Sequence, residues 1–260
     1  MSERDGFPHG VPCSVTCLAA DISAAIDFYG AVFGWTFETD PDVSFAVARL
    51  RGREVAGIGS RTAAGPDVAA AWITNVRVDS AEAAAARVAG AGGSLVAGPM
   101  DMAPAGRLSV LADPAGAVFC AWEPLTRQGA ELVNEPSAWA MSLLRTPDED
   151  GAAAFYGALF GWESEASGPI SLFRLPGFVG GEPEQPVPRD VVAAMMDGGD
   201  GSAGWAVDFW IADADVAAAT AEQRGGRVLE PPADAGPFRR AVLSDPEGAV
   251  FSVSQLVRLP

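Results

Sequence analysis

The sequence is poor in basic residues. Its 17 Lys and Arg stand against 34 Asp and Glu, which gives a net charge of -17 at pH 7 and an isoelectric point near 4.3. An acidic surface of this strength repels phosphate groups and anionic lipid headgroups. We therefore predict no nucleic-acid partner and no membrane partner.

Targeting and cofactor signals are also missing. No apolar run approaches the roughly 18 residues of a membrane span, and the start, MSERDGFPHG, lacks the basic and apolar regions of a signal peptide. No dinucleotide-binding fingerprint is present, so we predict no cofactor. Together these absences predict a cytoplasmic protein.

Residues that form disulfides or bind metals are scarce. The three cysteines, Cys13, Cys17 and Cys120, are an odd number without CxxC spacing. This pattern argues against a disulfide framework and against a zinc site. The single histidine, His9, falls in residues 1–9, which we predict to be a loose start, so we expect it to be exposed to solvent.

What the sequence does contain is a duplication. DISAAIDFYGAVFGW, Asp21–Trp35, returns as DEDGAAAFYGALFGW, Asp148–Trp162, at an offset of 148 − 21 = 127 residues. Each copy is predicted to be a short amphipathic helix that begins at its Asp and ends at the Gly before the Trp. The Phe and Tyr of each FYGAxFGW motif are expected to be core residues.

Two further motifs occur once in each half of the chain. Gly92-Gly93 matches Gly225-Gly226, and each pair is predicted to end a helix. ADPAGAVFCAW, Ala112–Trp122, matches SDPEGAVFSVS, Ser244–Ser254, and each is predicted to be a turn that leads into a strand.

Alternating apolar stretches between these motifs predict four β-α-β-β-β units. The units divide into a first domain at 10–125 and a second at 135–258. Residues 124–136 are predicted to be a linker and Arg61–Pro66 a loop. A longer Pro- and Gly-rich loop is predicted within 180–203.

This combination of motifs resembles the vicinal oxygen chelate superfamily, which includes glyoxalase I, extradiol dioxygenases and bleomycin-resistance proteins. It is most similar to the two-domain actinobacterial type, one member of which is an accessory factor in anthracycline biosynthesis. The resemblance implies an α+β fold in which tandem βαβββ units form two domains with cup-shaped sheets. It leaves function open, because the superfamily contains both enzymes and binding proteins.

Metal enzymes of the superfamily bind a divalent ion through His and Glu side chains that face the cup. A fourth ligand position falls near Glu54 to Gly57 in the first domain. The resemblance implies a member without a metal, unlike glyoxalase I and the extradiol dioxygenases, because the other equivalent positions hold no His, Asp or Glu. Those positions are Ser14, Ile73 and Cys120 in the first domain and Met141, Ala206 and Ser252 in the second.

Strand alternation predicts which other side chains line the cups. The opposite faces of two strands, Thr74, Val76 and Val78 with Val207, Phe209 and Ile211, are mostly apolar and are expected to pack on helices. Asp208 and Arg77 are the predicted catalytic residues. The predicted ligand-binding residues are Ser14, Thr16, Asn75, Cys120, Trp122, Met141, Trp210, Ser252 and Ser254.

Each catalytic or aromatic candidate has a structural alternative. Asp208 on an apolar wall would have its pKa raised by desolvation and act as a general base or acid, or it pairs with a basic side chain. Arg77 polarises a carbonyl oxygen of the ligand, or it is ion-paired at the strand end. Trp122 and Trp210 stack on an aromatic ring, or they fill the core.

The remaining candidate residues also have both a functional and a structural interpretation. Cys120 is either a nucleophile or an inert buried thiol. Asn75 either binds the ligand or satisfies backbone groups. Arg107 and Arg239 recur six residues before each Asp-Pro turn, which favours structural ion pairs.

The predicted function is metal-independent proton-transfer chemistry on an aromatic, polyketide-like small molecule in secondary metabolism. The reaction classes are isomerisation, ring opening, cyclisation, dehydration and hydrolysis. The main alternative is a protein that binds and sequesters such a molecule without changing it. A weaker one is a redox-linked helper to an oxygenase. A monomer and a homodimer both fit the duplication, and the sequence leaves open which half-domains share a cup.

Overall fold

The computed structural model describes residues 3–39, 45–64, 68–180, 188–199, 201 and 203–257. The start of the predicted strand Val43–Leu50, the end of the predicted loop Arg61–Pro66 and part of the predicted loop within 180–203 lie outside these ranges. None of the helices in the described part of the chain has the length and apolar character of a membrane span.

The first half of the chain forms one eight-stranded mixed sheet. Its strand order is β2-β3-β4-β1-β5-β8-β7-β6, in which β1 is parallel to β4 and antiparallel to β5, and β5 is parallel to β8. The elements are β1 (Pro12–Ala19), α1 (Ile22–Phe33), β2 (Thr36–Thr39), β3 (Phe45–Leu50), β4 (Arg53–Ser60), α2 (Arg61–Ala64), β5 (Ala71–Arg77), α3 (Ala81–Val88), β6 (Ser94–Met102), β7 (Gly106–Ala112) and β8 (Val118–Pro124).

The second half repeats this topology. Its sheet has the order β10-β11-β12-β9-β13-β16-β15-β14. The predicted α+β fold, with tandem units in two domains, is confirmed. The elements are β9 (Trp139–Thr146), α4 (Glu149–Phe160), β10 (Glu163–Ser167), β11 (Ile170–Arg174), β12 (Val191–Asp197), β13 (Gly204–Trp210), α5 (Ala214–Gln223), β14 (Arg227–Ala235), β15 (Phe238–Ser244) and β16 (Val250–Leu256).

Two stretches differ from the sequence prediction. Arg61–Ala64 is a single helical turn, α2, where the sequence predicts a loop. Residues 3–9 are not a loose start, because the segment after the first domain runs beside them. Glu3 forms an antiparallel bridge with Leu132, and half-exposed His9 accepts the backbone N–H of Asp79 at Nδ1, 3.1 Å away.

The FYGAxFGW helices begin and end as predicted. The carboxylate of Asp21 accepts the backbone N–H of Ala24 at 3.0 Å and so satisfies one of the free donors at the start of α1. Gly34 ends this helix in the left-handed conformation, with φ of 72°. Asp148 and Gly161 perform the same two roles for α4.

The hydrophobic cores are shared between the two domains. Helix α1 of the first domain packs against β13, β16 and α5 of the second, where Phe33 lies 4.8 Å from Phe209 between ring centres. Helix α4 of the second domain packs against β5, β8 and α3 of the first, where Tyr156 lies 5.6 Å from Phe119. Each of these helices is therefore covered partly by its own sheet and partly by the opposite domain.

A buried hydrogen bond joins each helix to the opposite domain. The hydroxyl of Tyr29 donates to Oδ2 of Asp245 at 3.0 Å and accepts the indole N–H of Trp72 at 3.0 Å. The other oxygen of Asp245 accepts the backbone N–H groups of Glu247 and Ala249 at 3.0 and 2.8 Å. One carboxylate thus forms the Asp-Pro turn of the second domain and holds the helix of the first.

The second copy repeats this arrangement. The hydroxyl of Tyr156 donates to Oδ2 of Asp113 at 3.1 Å and accepts the indole N–H of Trp205 at 3.0 Å. Burial raises the pKa of Tyr156 well above its usual value and also raises the pKa of Asp113. The motifs that repeat along the sequence therefore meet each other across the domains.

The Gly-Gly pairs are required by the same packing. Gly226 lies against the first domain's helix, where an added Cβ would sit 2.4 Å from the carbonyl oxygen of Ser244 and 2.8 Å from the ring of Phe28. Gly93 meets Phe155 in the equivalent way, at 2.6 Å. Any larger residue at these positions would push the helix of the other domain away.

The two sheets meet through their helix-covered faces. The hydroxyls of Thr74 on β5 and Ser142 on β9 form a buried hydrogen bond of 2.7 Å at the centre of the molecule. Because strand side chains alternate, the cup-facing residues of the two sheets point away from each other. Each cup belongs to one domain, so Ser14 and Thr16 do not face Asp208 or Ser252.

We expect Tyr29→Phe to lower the free energy of unfolding by about 1–3 kcal/mol, because Asp245 and Trp72 each lose a buried hydrogen-bond partner. Urea denaturation measures this change. Thr36→Val is the matched control, since it removes an exposed hydroxyl and is expected to cost less than about 0.5 kcal/mol. Equal losses in the two variants would contradict the structural role of the Tyr29 hydroxyl.

Candidate functional site

The cup of the first domain is filled by the protein's own side chains. The ring of Phe45 lies across Gly57, where an added Cβ would sit only 2.4 Å from Cζ of that ring. The guanidinium of Arg127, from the segment between the domains, lies 4.6 Å from the ring centre. Its Nε also donates to Oε1 of buried Glu54 at 2.8 Å. An aromatic ring and a buried ion pair thus occupy the first cup.

Several residues predicted to bind a ligand in this cup instead bind one another. The amide nitrogen of Asn75 donates to the hydroxyls of Ser14 and Thr16, both at 3.1 Å. Cys120 is buried, and burial raises the pKa of its thiol to about 12. The indole N–H of Trp122 donates to the carbonyl of Arg127 at 3.0 Å. This arrangement favours packing roles for all five residues.

Arg77, the second predicted catalytic residue, lies at the end of β5 and pairs with Asp79. The structure does not bring Arg77 to Asp208, because the two residues lie on different sheets whose cups face away from each other. The same geometry separates Asn75 from Asp208. A mechanism that joins Asp208 to either residue is therefore not supported.

The cup of the second domain contains an open cavity of about 340 Å³. Its wall combines small apolar side chains with charged and hydroxyl groups, as small-molecule sites usually do. The residues that contribute from the sheet include Arg145, Gly204, Ala206, Glu230, Arg240, Val242 and Ser252.

Asp208 contacts two residues of the cavity lining, Ser252 and Arg240. Its Oδ1 accepts the hydroxyls of Ser252 at 2.6 Å and Ser254 at 2.8 Å, and Nε of Arg240 lies 3.7 Å from the same oxygen. No donor to Oδ2 is found among the described residues. One carboxylate oxygen is thus held by two hydroxyls, while the other accepts no hydrogen bond from the described residues.

The surroundings of Asp208 change its acidity. Burial raises the pKa of this carboxyl, and the hydrogen bond from Ser252, the charge of Arg240 and the hydrogen bond from Ser254 oppose the rise. The net result is a raised pKa, which suits a group that both takes up and releases a proton. The pairing of Asp208 with Arg240 is also the alternative that the sequence left open.

Two other predicted residues lie on the same face. Met141 is the cross-strand neighbour of Asp208 on β9, and Trp210 pairs with Ser254 on β16. The ring of Trp210 lies 6.1 Å from the ring of Phe238, with an angle of 46° between their planes. Trp210 and Phe238 form an aromatic wall beside the carboxylate. The structure therefore brings together Asp208, Met141, Trp210, Ser252 and Ser254.

Three residues that face this cup were not predicted from the sequence. Arg240 faces it because its cross-strand neighbour is Ser254, and Phe238 lies two residues earlier on the same face. Arg145 follows Met141 by four residues, so strand alternation along β9 would have indicated it. By contrast, Arg239 points to the opposite face and forms the structural ion pair predicted for it, with Asp215 at 2.6 Å.

The superfamily implies a divalent metal, but the residues at its ligand positions do not fit one. In the first cup these positions hold Ser14, Ile73 and a thiol at Cys120 whose raised pKa keeps it protonated. In the second cup, Ser252 is already bonded to Asp208. No group of three or more His, Cys, Asp and Glu side chains suited to a metal occurs within the described ranges.

Proteins of similar sequence span nearly the whole chain. The Mycobacterium tuberculosis protein "Putative glyoxylase CFP32" is 34% identical over 265 residues, which cover 97% of each chain. The Streptomyces peucetius protein "Anthracycline biosynthesis protein DnrV" is 32% identical over 268 residues, which cover 96% of this chain and 94% of the relative.

Solved structures share the fold at low identity. The Mn(II)-bound glyoxalase of Novosphingobium aromaticivorans has a TM-score of 0.64 at 16% identity, covering 96% of this chain and 83% of that one. The 2,3-dioxygenase LapB of Pseudomonas sp. KL28 has a TM-score of 0.63 at 14% identity, covering 97% and 94%. The family model described as "Glyoxalase-like domain" matches residues 14–122 and 141–254. The chain therefore belongs to the glyoxalase-like domain family, with one copy of the domain in each half.

Proposed function

We propose that this protein is a metal-independent enzyme that carries out proton transfer on an aromatic, polyketide-like small molecule in the cup of its second domain. The observation that carries the proposal is the carboxylate of Asp208, which has one oxygen held by Ser252 and Ser254 and the other without a donor among the described residues. The relatives named for anthracycline biosynthesis support an aromatic polyketide as the substrate class. We further propose that the protein acts in the cytoplasm.

In this proposal Asp208 is the base and then the acid. Its Oδ2 takes a proton from a carbon next to a carbonyl group of the ligand, and the electron pair moves onto the carbonyl oxygen. The guanidinium of Arg240 stabilises the resulting enolate. Asp208 then returns the proton to a different atom of the ligand, and the overall reaction is an isomerisation. The same proton abstraction can also begin a cyclisation or a dehydration.

A second candidate function is binding without reaction. The aromatic pair of Trp210 and Phe238 supports it, because a flat ligand can stack there whether or not it reacts. The two candidates differ in whether the ligand is recovered unchanged.

We expect Asp208→Asn to lower turnover at least about 100-fold while leaving ligand affinity within a few-fold, because the amide keeps an acceptor for Ser252 and Ser254 but takes up no proton. A thermal-shift screen of planar polyphenols and quinones finds the ligand, since binding stabilises the folded state. Mass spectrometry with isomer-resolving chromatography then measures its conversion.

Glu222→Gln is the control, since it removes an exposed carboxylate of the same domain that lies on α5, outside the cup. Full turnover in Asp208→Asn would exclude Asp208 as the base. A ligand that wild-type protein binds but returns unchanged would favour the binding function.

A substrate-free measurement tests the raised pKa of Asp208. Between the usual pKa of Asp and the raised value, the folded state binds more protons than the unfolded state, so rising pH lowers the free energy of unfolding. Asp208→Asn should therefore gain stability relative to wild type as the pH rises through this window, with a plateau above it. Urea denaturation from pH 3.5 to pH 8 measures the difference in the free energy of unfolding between the variant and wild type. This difference would stay flat or fall with rising pH if the contacts with Ser252, Ser254 and Arg240 outweighed burial.

We expect Trp210→Ala to weaken binding of the screened ligand about tenfold, because a large stacking surface is lost beside Asp208. Isothermal titration measures the affinity. The matched control is Trp122→Ala in the filled first cup, which should leave the affinity unchanged. A larger effect from Trp122→Ala would place the ligand in the first domain instead.

A further inference from the structure

A second cation lines the cavity of the second cup, at the end away from Asp208. Arg145 lies on the cup-facing side of β9, and its cross-strand neighbour on β13 is Gly204. Asp208 is four residues further along β13, or about 13 Å at the rise of an extended strand. The cavity lining therefore has Arg145 at one end and Arg240, which lies beside the Asp208 carboxylate, at the other.

Arg145 forms no ion pair with any residue in the described ranges. Arg77, Arg127 and Arg239, by contrast, all pair with carboxylates. Glu230 also lines the cavity but does not pair with Arg145. The guanidinium therefore remains available to a ligand.

The chemistry of a guanidinium indicates what it would bind. Its planar fork of N–H donors matches the two oxygens of a carboxylate, and such charge-assisted pairs are stronger and more directional than neutral hydrogen bonds. Arg145 is exposed, so a ligand reaches its guanidinium directly, and water screens part of the attraction.

We infer that the ligand of the second cup is an aromatic carboxylic acid whose carboxylate binds Arg145, which places its ring system towards Asp208 and Arg240. The inference rests on the site of the proposed function and adds the chemical class and the orientation of its ligand. Arg145 is a binding residue in this arrangement, about 13 Å along the strand from the reacting end.

The test uses two unreactive probes of the same shape, 2-naphthoate and 2-naphthamide, which differ in charge. Wild-type protein is expected to bind 2-naphthoate about tenfold more tightly by isothermal titration. Arg145→Met should remove this preference by weakening 2-naphthoate about tenfold while leaving 2-naphthamide unchanged. Arg145→Lys should retain part of the preference, since it keeps the charge without the fork.

Arg227→Met is the matched control, because Arg227, like Arg145, is exposed and lacks an ion pair in the described ranges, but it lies on β14 and does not line the cavity. It should leave both affinities unchanged. The inference is overturned if wild-type protein shows no preference for 2-naphthoate, if Arg145→Met weakens both probes equally, or if Arg227→Met has the same effect as Arg145→Met.

These binding measurements are independent of turnover. If Asp208→Asn keeps full activity while Arg145→Met loses the preference for 2-naphthoate, the proposed reaction fails and the carboxylate site stands. The opposite pair of results removes the carboxylate site and leaves the proposed reaction intact.

Discussion

The buried bond between a tyrosine hydroxyl of one domain and an aspartate of the other is the contact on which the rest of the structure depends. Tyr29 reaches Asp245, and Tyr156 reaches Asp113, in equivalent positions. Each aspartate also forms the turn before the closing strand of its own domain. A single carboxylate therefore holds both this turn and the helix of the opposite domain. This reciprocity orients the sheets with their helix-covered faces together, so the two cups face opposite sides of the molecule.

The two cups have diverged within this symmetrical frame. In the first, Phe45 lies over Gly57, and Arg127 fills the remaining space with its ion pair to Glu54. In the second, an open cavity lies beside β9, β13, β15 and β16, and Asp208 contacts two of its lining residues. One copy of the duplicated domain is thus packed at its cup, while the other has an accessible concave wall with ionisable groups. Equivalent positions of the two cups differ in the same way. The open cup has the ionisable Asp208, and the filled cup has the neutral Asn75.

The sequence predicted the features that depend on local pattern. The capped helices follow from the Asp and Gly that flank them, and strand alternation placed Asp208 with Ser252 and Ser254 on one face. Features that depend on long-range register were less accessible. Arg240 enters the cup from β15 and Arg127 enters the other cup from the segment between the domains, so neither is close in sequence to the residue it contacts. The packing of α1 and α4 on the opposite domain was hidden for the same reason, because an apolar helix face does not specify which elements will cover it.

The shared cores make the whole chain, and not the domain, the unit that folds. A fragment that ended near residue 130 would contain a complete eight-stranded sheet. The part of α1 that packs on the second domain would nevertheless face solvent, and the space beside Gly93 would lack the ring of Phe155. The complementary fragment would expose the matching surfaces. The two halves of a cleaved chain would therefore behave as obligate subunits, with the segment between the domains raising their effective concentration in the intact protein.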